Sequence, residues 1–309
     1  MDLTTIDAVE AVICIPTFRR PDWLERTLRS VMDQIAPFGF AVVVVDNDAA
    51  NPAGAERARL VLQSQTPHSV LVESNQGNCH AINRAFRAAL TTYPSAEFFL
   101  MIDDDEVAMP GWLEAMVNLA KEKRADIVGG PVLRQFDVPV AASVSGHPLF
   151  LSIAGSTRQV SQIHGSGNCL IRRRVFDAMP KPPFDIRFNF LGGGDMEFFT
   201  RCRVMGFSTW WCAEAIATEF VPAERVTPKF LTRRSIRTGS INYVVDRMHA
   251  PGWVMALKNI GSLGLGLGRG LAVLLRTRSP LQASHPVLMP VGRIIASLGF
   301  IPQPYKSSQ

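Results

Sequence analysis

The five cysteines form no CxxC pair and no cluster; Cys14, Cys79, Cys169, Cys202 and Cys212 are scattered along 309 residues. That spacing speaks against a zinc site or a disulfide framework, and for separate buried thiols in a reducing compartment. The opening MDLTTIDAVEAVICIP has no basic segment ahead of an apolar core, so no signal peptide is expected and the chain is read as cytoplasmic. GxSxG, HExxH and Walker-type motifs are missing, and with them the chemistries they carry. Internal repeats and low-complexity blocks are missing too. In the apolar tail the uncharged run Asn259–Gly268 stops after ten residues at Arg269, against about 20 for a spanning helix. One or two helices lying on a membrane or packed on the body are expected there instead.

Acid is scarce after residue 224. Twelve basic residues stand against Asp246 alone, a net of +11, which leaves −6 for residues 1–224 of a chain whose total is +5. A tail this basic implies an anionic partner, for which a phospholipid surface or a lipid diphosphate is the expectation. Nucleic acid is not expected, because the basic residues are not interleaved with aromatics and no nucleic-acid motif is present.

With 47% hydrophobic and 19% charged residues, the chain can bury a core. AVICIP, FAVVVVDND, SVLVES, EFFLMIDDDE and ADIVGGPV read as strands. Between them PDWLERTLRSVMDQ, ERARLVLQSQ, GNCHAINRAFRAAL and GWLEAMVNLAKEK have apolar residues at helical spacing. This β-α alternation predicts an α/β fold with a doubly wound, mainly parallel sheet flanked by helices. The second half predicts a loop over 134–150, a strand running into a helix in GSGNCLIRRRVFD, and a loop running into a helix in FNFLGGGDMEFFTRCRVMG. Residues 207–222 read as strand-rich, and a basic helix follows from Thr227. The domain reading is 1–240 for the α/β domain, with halves near 1–135 and 136–240, and 241–309 for a C-terminal helical extension that is basic and apolar.

Ligands of such sheets sit beyond the carboxyl ends of the strands. Three polar clusters fall there: Thr17 to Arg20, Asp46 to Asp48, and Asp103 to Glu106. Four adjacent acids are costly to place together without a cation. If the strand continues through them, Asp103 and Asp105 share one face. Mg²⁺ or Mn²⁺ on one or two carboxylates would neutralise a diphosphate leaving group; a solvated acidic turn is the competing reading. Asp46 is expected to accept a hydrogen bond from a base or ribose, or else to make a strand-end Asx turn. Asn75, Gly77 and Asn78 form a further polar turn, lining the pocket or capping a helix. A base is needed for the acceptor hydroxyl proton. Asp195, behind three glycines, is the candidate, with Glu197 the runner-up; a plain helix cap is the other reading of Asp195. His80 and His164 are read as structural.

Four segments together resemble the family 2 glycosyltransferases: ICIPTFRRPDWLERTLRSV, VVVVDND, FFLMIDDDEVAMPGWLEAM and LGGGDMEFFTRCRVMGF. More narrowly, they resemble the bacterial exopolysaccharide subgroup of succinoglycan type. The resemblance runs from about Val12 to Gly239. It implies a GT-A fold and an inverting glycosyl transfer from a nucleotide-diphosphate sugar, UDP favoured, in polysaccharide or glycoconjugate synthesis. The implied acceptor is a saccharide, free or polyprenyl-linked, and the implied cofactor a divalent metal. By the same resemblance Pro16, Thr17 and Arg20 line the nucleotide pocket, with Asn75 and Asp104 beside it. Asp46 holds base or ribose, Asp103 the ribose or diphosphate, Asp105 the metal, and Asp195 acts as base. Two positions depart from the family. Gly194 stands where relatives often have Glu, and Glu219 where many have a metal-binding His. Arg225, Arg233, Arg234 and Arg237 fall where relatives meet the diphosphate or acceptor, or else form a solvated basic face. The expected location is the inner face of the plasma membrane, peripherally bound. A sugar-phosphate nucleotidyltransferase is the weaker reading, since PTFRRPDW has no glycine; so is a sugar-nucleotide-binding module that has lost turnover.

Overall fold

The computed structural model describes residues 9–63, 66–153 and 155–301. Lys306 and the first eight residues, on which parts of the charge and leader readings rest, lie outside them. The described chain divides into two compact units, Met1–Leu133 with Ile153–Glu219, and Arg134–Ser152 with Phe220–Gln309. It passes from one to the other at three points, two within strands and one in a loop, rather than at a single linker.

The first unit is built on an eight-stranded sheet. Its strands are β1 (Val9–Thr17), β2 (Gly39–Asp46), β3 (His68–Val72), β4 (Phe98–Ile102), β6 (Ile127–Gly129), β8 (Arg158–Val160), β9 (Asn168–Arg172) and β10 (Thr209–Trp211), in the order β3-β2-β1-β4-β9-β6-β10-β8. β3, β2, β1 and β4 run parallel, β9 is antiparallel to β4 and β6, β10 is parallel to β6, and β8 closes the edge antiparallel. Six of the eight strands thus share one direction, the mainly parallel α/β sheet that the alternation predicted.

Both faces of the parallel half are covered, which is why its strands are runs of Val and Ile rather than alternating sequences. One face packs α1 (Pro21–Met32), α2 (Ala53–Leu62) and α4 (Trp112–Glu122) on Ile13, Ile15, Val42, Val44 and Leu100. α1 begins with Pro21 at its first turn, where the missing N–H costs nothing. It buries Leu24, Leu28 and Val31, one stripe at i, i+4, i+7. Opposite lie α3 (Asn78–Thr92), α5 (Arg173–Ala178) and α6 (Gly194–Val204). Phe86, Phe176, Phe184 and Phe198 stack there, the Phe184–Phe198 pair at 4.4 Å between ring centres.

Two expectations are corrected. β4 ends at Ile102, so Asp103–Asp105 form a turn and the chain resumes in the short β5 (Glu106–Ala108). The alternation of faces along a strand therefore does not order these three acids. The stretch 134–150 is also not simply a loop: β7 (Val132–Phe136), a one-turn helix (Ala142–Ser145) and a 3₁₀ turn (Pro148–Phe150) divide it. β5 pairs antiparallel with the first residues of β11 (Ala217–Val221), Glu219 opposite Glu106.

The second unit is dominated by three helices, α7 (Pro228–His249), α8 (Gly252–Thr277) and α9 (Pro280–Ser297). Residue 240, the expected end of the α/β domain, falls inside the continuous α7. α7 and α9 meet at two glycines. A Cβ on Gly239 would overlap the Met289 carbonyl, and one on Gly292 would overlap the carbonyl of Ile236. No helix among the described residues is long and apolar enough to cross a membrane.

Candidate active site

The tips of β1, β2 and β4 bring three of the polar clusters together. Thr17, 3% exposed, donates from Oγ1 to Asp104 Oδ2 at 2.7 Å, and the Phe18 N–H reaches the same oxygen at 3.4 Å. Pro16, just before, is buried in β1 and pairs with Val45. Arg20 Nη1 bridges Asp104 Oδ1 at 3.2 Å and Asp105 Oδ2 at 2.8 Å. From α1, Thr27 Oγ1 lies 2.6 Å from the Glu106 carbonyl and 3.0 Å from that of Asp104. The acidic turn is therefore clamped from the β1 tip and from α1. Burial pushes the Asp104 carboxyl up, against the pull of Arg20 and Thr17. Arg20 is held above its ordinary value because the charges of Asp104 and Asp105 outweigh its own desolvation.

Asp103 faces the other way. A Cβ on Gly167 would lie 2.7 Å from Asp103 Oδ2 and 2.7 Å from Glu106 Oε1, so only glycine leaves these carboxylates in place. Burial first, then the charges of Asp105, Asp104 and Asp195, lift the Asp103 carboxyl to about 7. That influence places Asp195 within electrostatic reach of the acidic turn.

Asp195 sits in the first turn of α6, behind Gly192 and Gly193 at φ 81° and 87°, a backbone that residues with a Cβ adopt at a cost. Its Oδ1 accepts the Met196 N–H at 2.8 Å. Glu197 is differently placed. It is buried, and Arg201 grips both its oxygens, at 3.0 and 2.7 Å, while also donating to the Pro183 carbonyl. A carboxylate so paired is poorly placed to accept a proton from a substrate. The departure at Gly194 has a steric cause: a Cβ there would come within 2.6 Å of Cys79 Sγ.

Asp46 is wholly buried, and its two oxygens accept the N–H groups of Asp48 (3.0 Å) and Ala55 (2.9 Å). This is the Asx-turn arrangement, and it holds the loop from β2 into α2. Asn75 is exposed and bonded to Glu73. Glu219, half-buried, stands across the β5–β11 ladder from Glu106; two like charges so opposed are unfavourable without a counter-charge. Arg225, Arg233 and Arg237 belong to the second unit, Arg233 exposed and the other two half-buried.

Several positioning residues were not read from the sequence. Asn47 spans two loops, donating to the Glu73 and Asn75 carbonyls at 3.1 and 2.7 Å and accepting from Gly77 N–H at 2.7 Å. Asn168 accepts from Trp112 Nε1 at 2.7 Å and donates to the carbonyls of Pro131 and Ala215. Asn47 stood inside the Asp46 to Asp48 cluster without a role of its own, and for Asn168 the only trace is a polar residue at the head of the buried run CLI in GSGNCLIRR.

The donor set suits a hard divalent cation. Asp105 and Glu219 offer oxygen ligands only, and the crowding of carboxylates that raises Asp103 is what a nearby cation relieves. Among the described residues no three side chains of ligand type converge. The protein would thus supply part of a shell that phosphate oxygens and water complete, the usual arrangement for Mg²⁺.

The chain is similar to the succinoglycan biosynthesis protein ExoM of Rhizobium meliloti (strain 1021), 26% identical over 258 residues, 79% of either chain. It is 28% identical over 214 residues to the O-antigen biosynthesis protein RfbC of Myxococcus xanthus, covering 63% of this chain and 16% of that protein. The crystal structure of TarS from S. aureus superposes with a TM-score of 0.49 at 15% identity, over 77% of this chain and 43% of that one, too loosely to carry an argument. Residues 12–179, more than half of the chain, match the model of glycosyl transferase family 2, and the chain belongs to that family.

Proposed function

We propose that the protein transfers a sugar from a nucleotide diphosphate, with UDP as the nucleotide, to a saccharide or polyprenyl-linked acceptor, inverting the anomeric carbon. Polysaccharide synthesis is the setting that the similarity to ExoM and RfbC favours, and the basic, apolar tail supports placing it at the cytoplasmic face of a membrane. The observation that supports the reading is the place of Asp195 at the start of α6 behind Gly192 and Gly193, where its charge is among those that raise Asp103. It sets a glycine-hinged carboxylate beside the acidic turn, while its neighbour Glu197 is taken up by Arg201.

In the reaction the Asp195 carboxylate takes the proton of the acceptor hydroxyl. The hydroxyl oxygen forms its bond to the anomeric carbon as the bond to the diphosphate oxygen breaks, and the nucleoside diphosphate leaves. Asp105, with Glu219 as a second ligand, would hold a divalent cation that neutralises the charge of that leaving group, and Asp103 would meet the ribose or diphosphate. Pro16 and Thr17 line the nucleotide side, and Arg20 keeps the turn in register. Asp46 and Asn47 act one step back, by shaping the two loops next to it. For Arg225, Arg233 and Arg237 a part toward diphosphate or acceptor rests on the family resemblance alone.

Product stereochemistry tests this. A panel of α-linked nucleotide sugars is offered with manganese, and the product is read by NMR of its anomeric proton. A β product supports the scheme, and an α product removes Asp195 as an inverting base. Turnover in an Asp105→Ala variant equal to the parent's would favour a binding module with no catalysis of its own.

A further inference from the structure

Helix α8 presents three different faces. Met255, Gly266 and Gly270 are buried, the two glycines against Pro286, Pro290 and Val287 of α9. At 100° per residue, Trp253, Leu257, Ile260, Leu267, Leu271 and Leu275 fall within an arc of about 80° on the far side. All six are between 54% and 73% exposed. Lys258, Arg269 and Arg276 line up along one edge between these two faces and are exposed. Lys258 reaches Asp246 at 3.0 Å. The helix itself has no Asp or Glu in its 26 residues.

The surface continues past the helix. Met255 and Ala296 share a small core with Tyr243, which brings the end of α9, and with it the exposed Leu298 and Phe300, to the end of α8 that carries Trp253.

From this arrangement we infer that α8 lies in the plane of an anionic phospholipid surface, its leucine arc in the acyl boundary and its arginine edge at the phosphates. Six large apolar side chains in one solvent-facing arc form a patch that a chain with no partner rarely exposes. The helix is not apolar enough to span, whereas a strong apolar face edged only by basic residues is the pattern of in-plane helices. A second copy of the chain would bring another row of arginines and no acid from this helix to meet them. Lipid phosphates supply the missing charge. The inference goes beyond the transfer reading and does not depend on it, because the binding needs neither donor nor acceptor.

Flotation of the full chain is measured with vesicles of phosphatidylcholine alone and of phosphatidylcholine mixed with phosphatidylglycerol. The unaltered protein is expected to float with the mixed vesicles and to be released by high salt. Arg269→Ala with Arg276→Ala should weaken binding by about 25-fold, near five-fold per residue. Leu267→Glu with Leu271→Glu should abolish it while far-ultraviolet circular dichroism and donor turnover stay as in the parent. Brominated acyl chains should quench emission in the parent more than in Trp253→Phe. Failure of the parent to float with mixed vesicles overturns the inference, as does equal flotation of the Leu→Glu pair. Equal quenching in Trp253→Phe does the same. A dimer in sedimentation that the Leu→Glu pair splits, with vesicle binding unchanged, would assign the face to a second copy instead.

Discussion

The Thr17 hydroxyl donates to the Asp104 carboxylate at 2.7 Å across 87 residues of sequence. It fastens the tip of the first strand to the turn that carries the acids. Both groups are buried, so removing the donor leaves a desolvated carboxylate short of a partner. Thr17→Val should cost about 1–3 kcal/mol in urea unfolding, with Thr17→Ser restoring most of it. An unchanged midpoint for Thr17→Val would mean that Arg20 and the Phe18 N–H satisfy Asp104 between them.

Asp195→Asn should leave donor binding near the parental value and lower the transfer rate about 100-fold or more, as removal of a general base does. Glu197→Gln should behave otherwise. It strips the bidentate partner from Arg201, so its first effect is a lowered melting temperature. Pre-steady-state rates and melting curves on both variants separate the roles, and an Asp195→Asn enzyme at full speed would transfer the base assignment elsewhere.

Asp105→Ala should weaken donor binding by calorimetry in magnesium and leave little difference between magnesium and chelator. In the parent, chelation itself should lower donor affinity. Equal affinities for parent and variant in magnesium would take Asp105 out of the metal shell.

Gly167→Ala places a methyl 2.7 Å from Asp103 Oδ2 and Glu106 Oε1. The carboxylate must move by a few tenths of an ångström or more, and turnover should fall by about 100-fold, the scale of small misplacements at a reacting centre. Steady-state kinetics beside an unchanged melting temperature would confirm that the loss is local; parental kinetics would show that the turn adjusts freely.

His147, wholly buried beside His285 in the second unit, is pushed down to about 4 by burial and by the neighbouring imidazole. Burial also lowers His285, whose Nδ1 lies 2.8 Å from Ser235 Oγ. Their unfolded counterparts take up protons near 6.5. Stability is therefore at its full value above that pH. It falls as pH drops toward 4, at up to roughly 1.4 kcal/mol per unit through His147, and His285 adds to the fall in the same direction. His147→Phe should flatten this fall between pH 6.5 and 4 in thermal melts; a parallel curve would acquit His147.

Local order was readable where the chain alone decides it. The Val and Ile runs of β1 and β2 announced strands covered on both faces, and the 3–4 spacing of Leu24, Leu28 and Val31 announced α1. The acids of 103–105 were visible as a cluster, but not as a turn, because the strand before them stops at Ile102 where the hydrogen bonds of β9 run out. Asn168 could not be read as a hub, since its partners lie 37, 47 and 56 residues away. Gly194 looked like a lapse from the family pattern until the Cys79 sulfur appeared beside it. What separates Glu197 from Asp195 in the structure is its ion pair with Arg201, one helical turn away. That pairing was legible in spacing, but its burial was not.

Gly239 and Gly292 each lie against the main chain of the opposite helix, so α7 and α9 touch backbone to backbone at two reciprocal points. A saturation library would find both positions closed even to alanine, while the solvent-facing leucines of α8 accept exchange for other apolar residues. Anyone transplanting this helical unit onto another enzyme must carry the two glycines as a matched set, because restoring one without the other leaves the crossing wedged open.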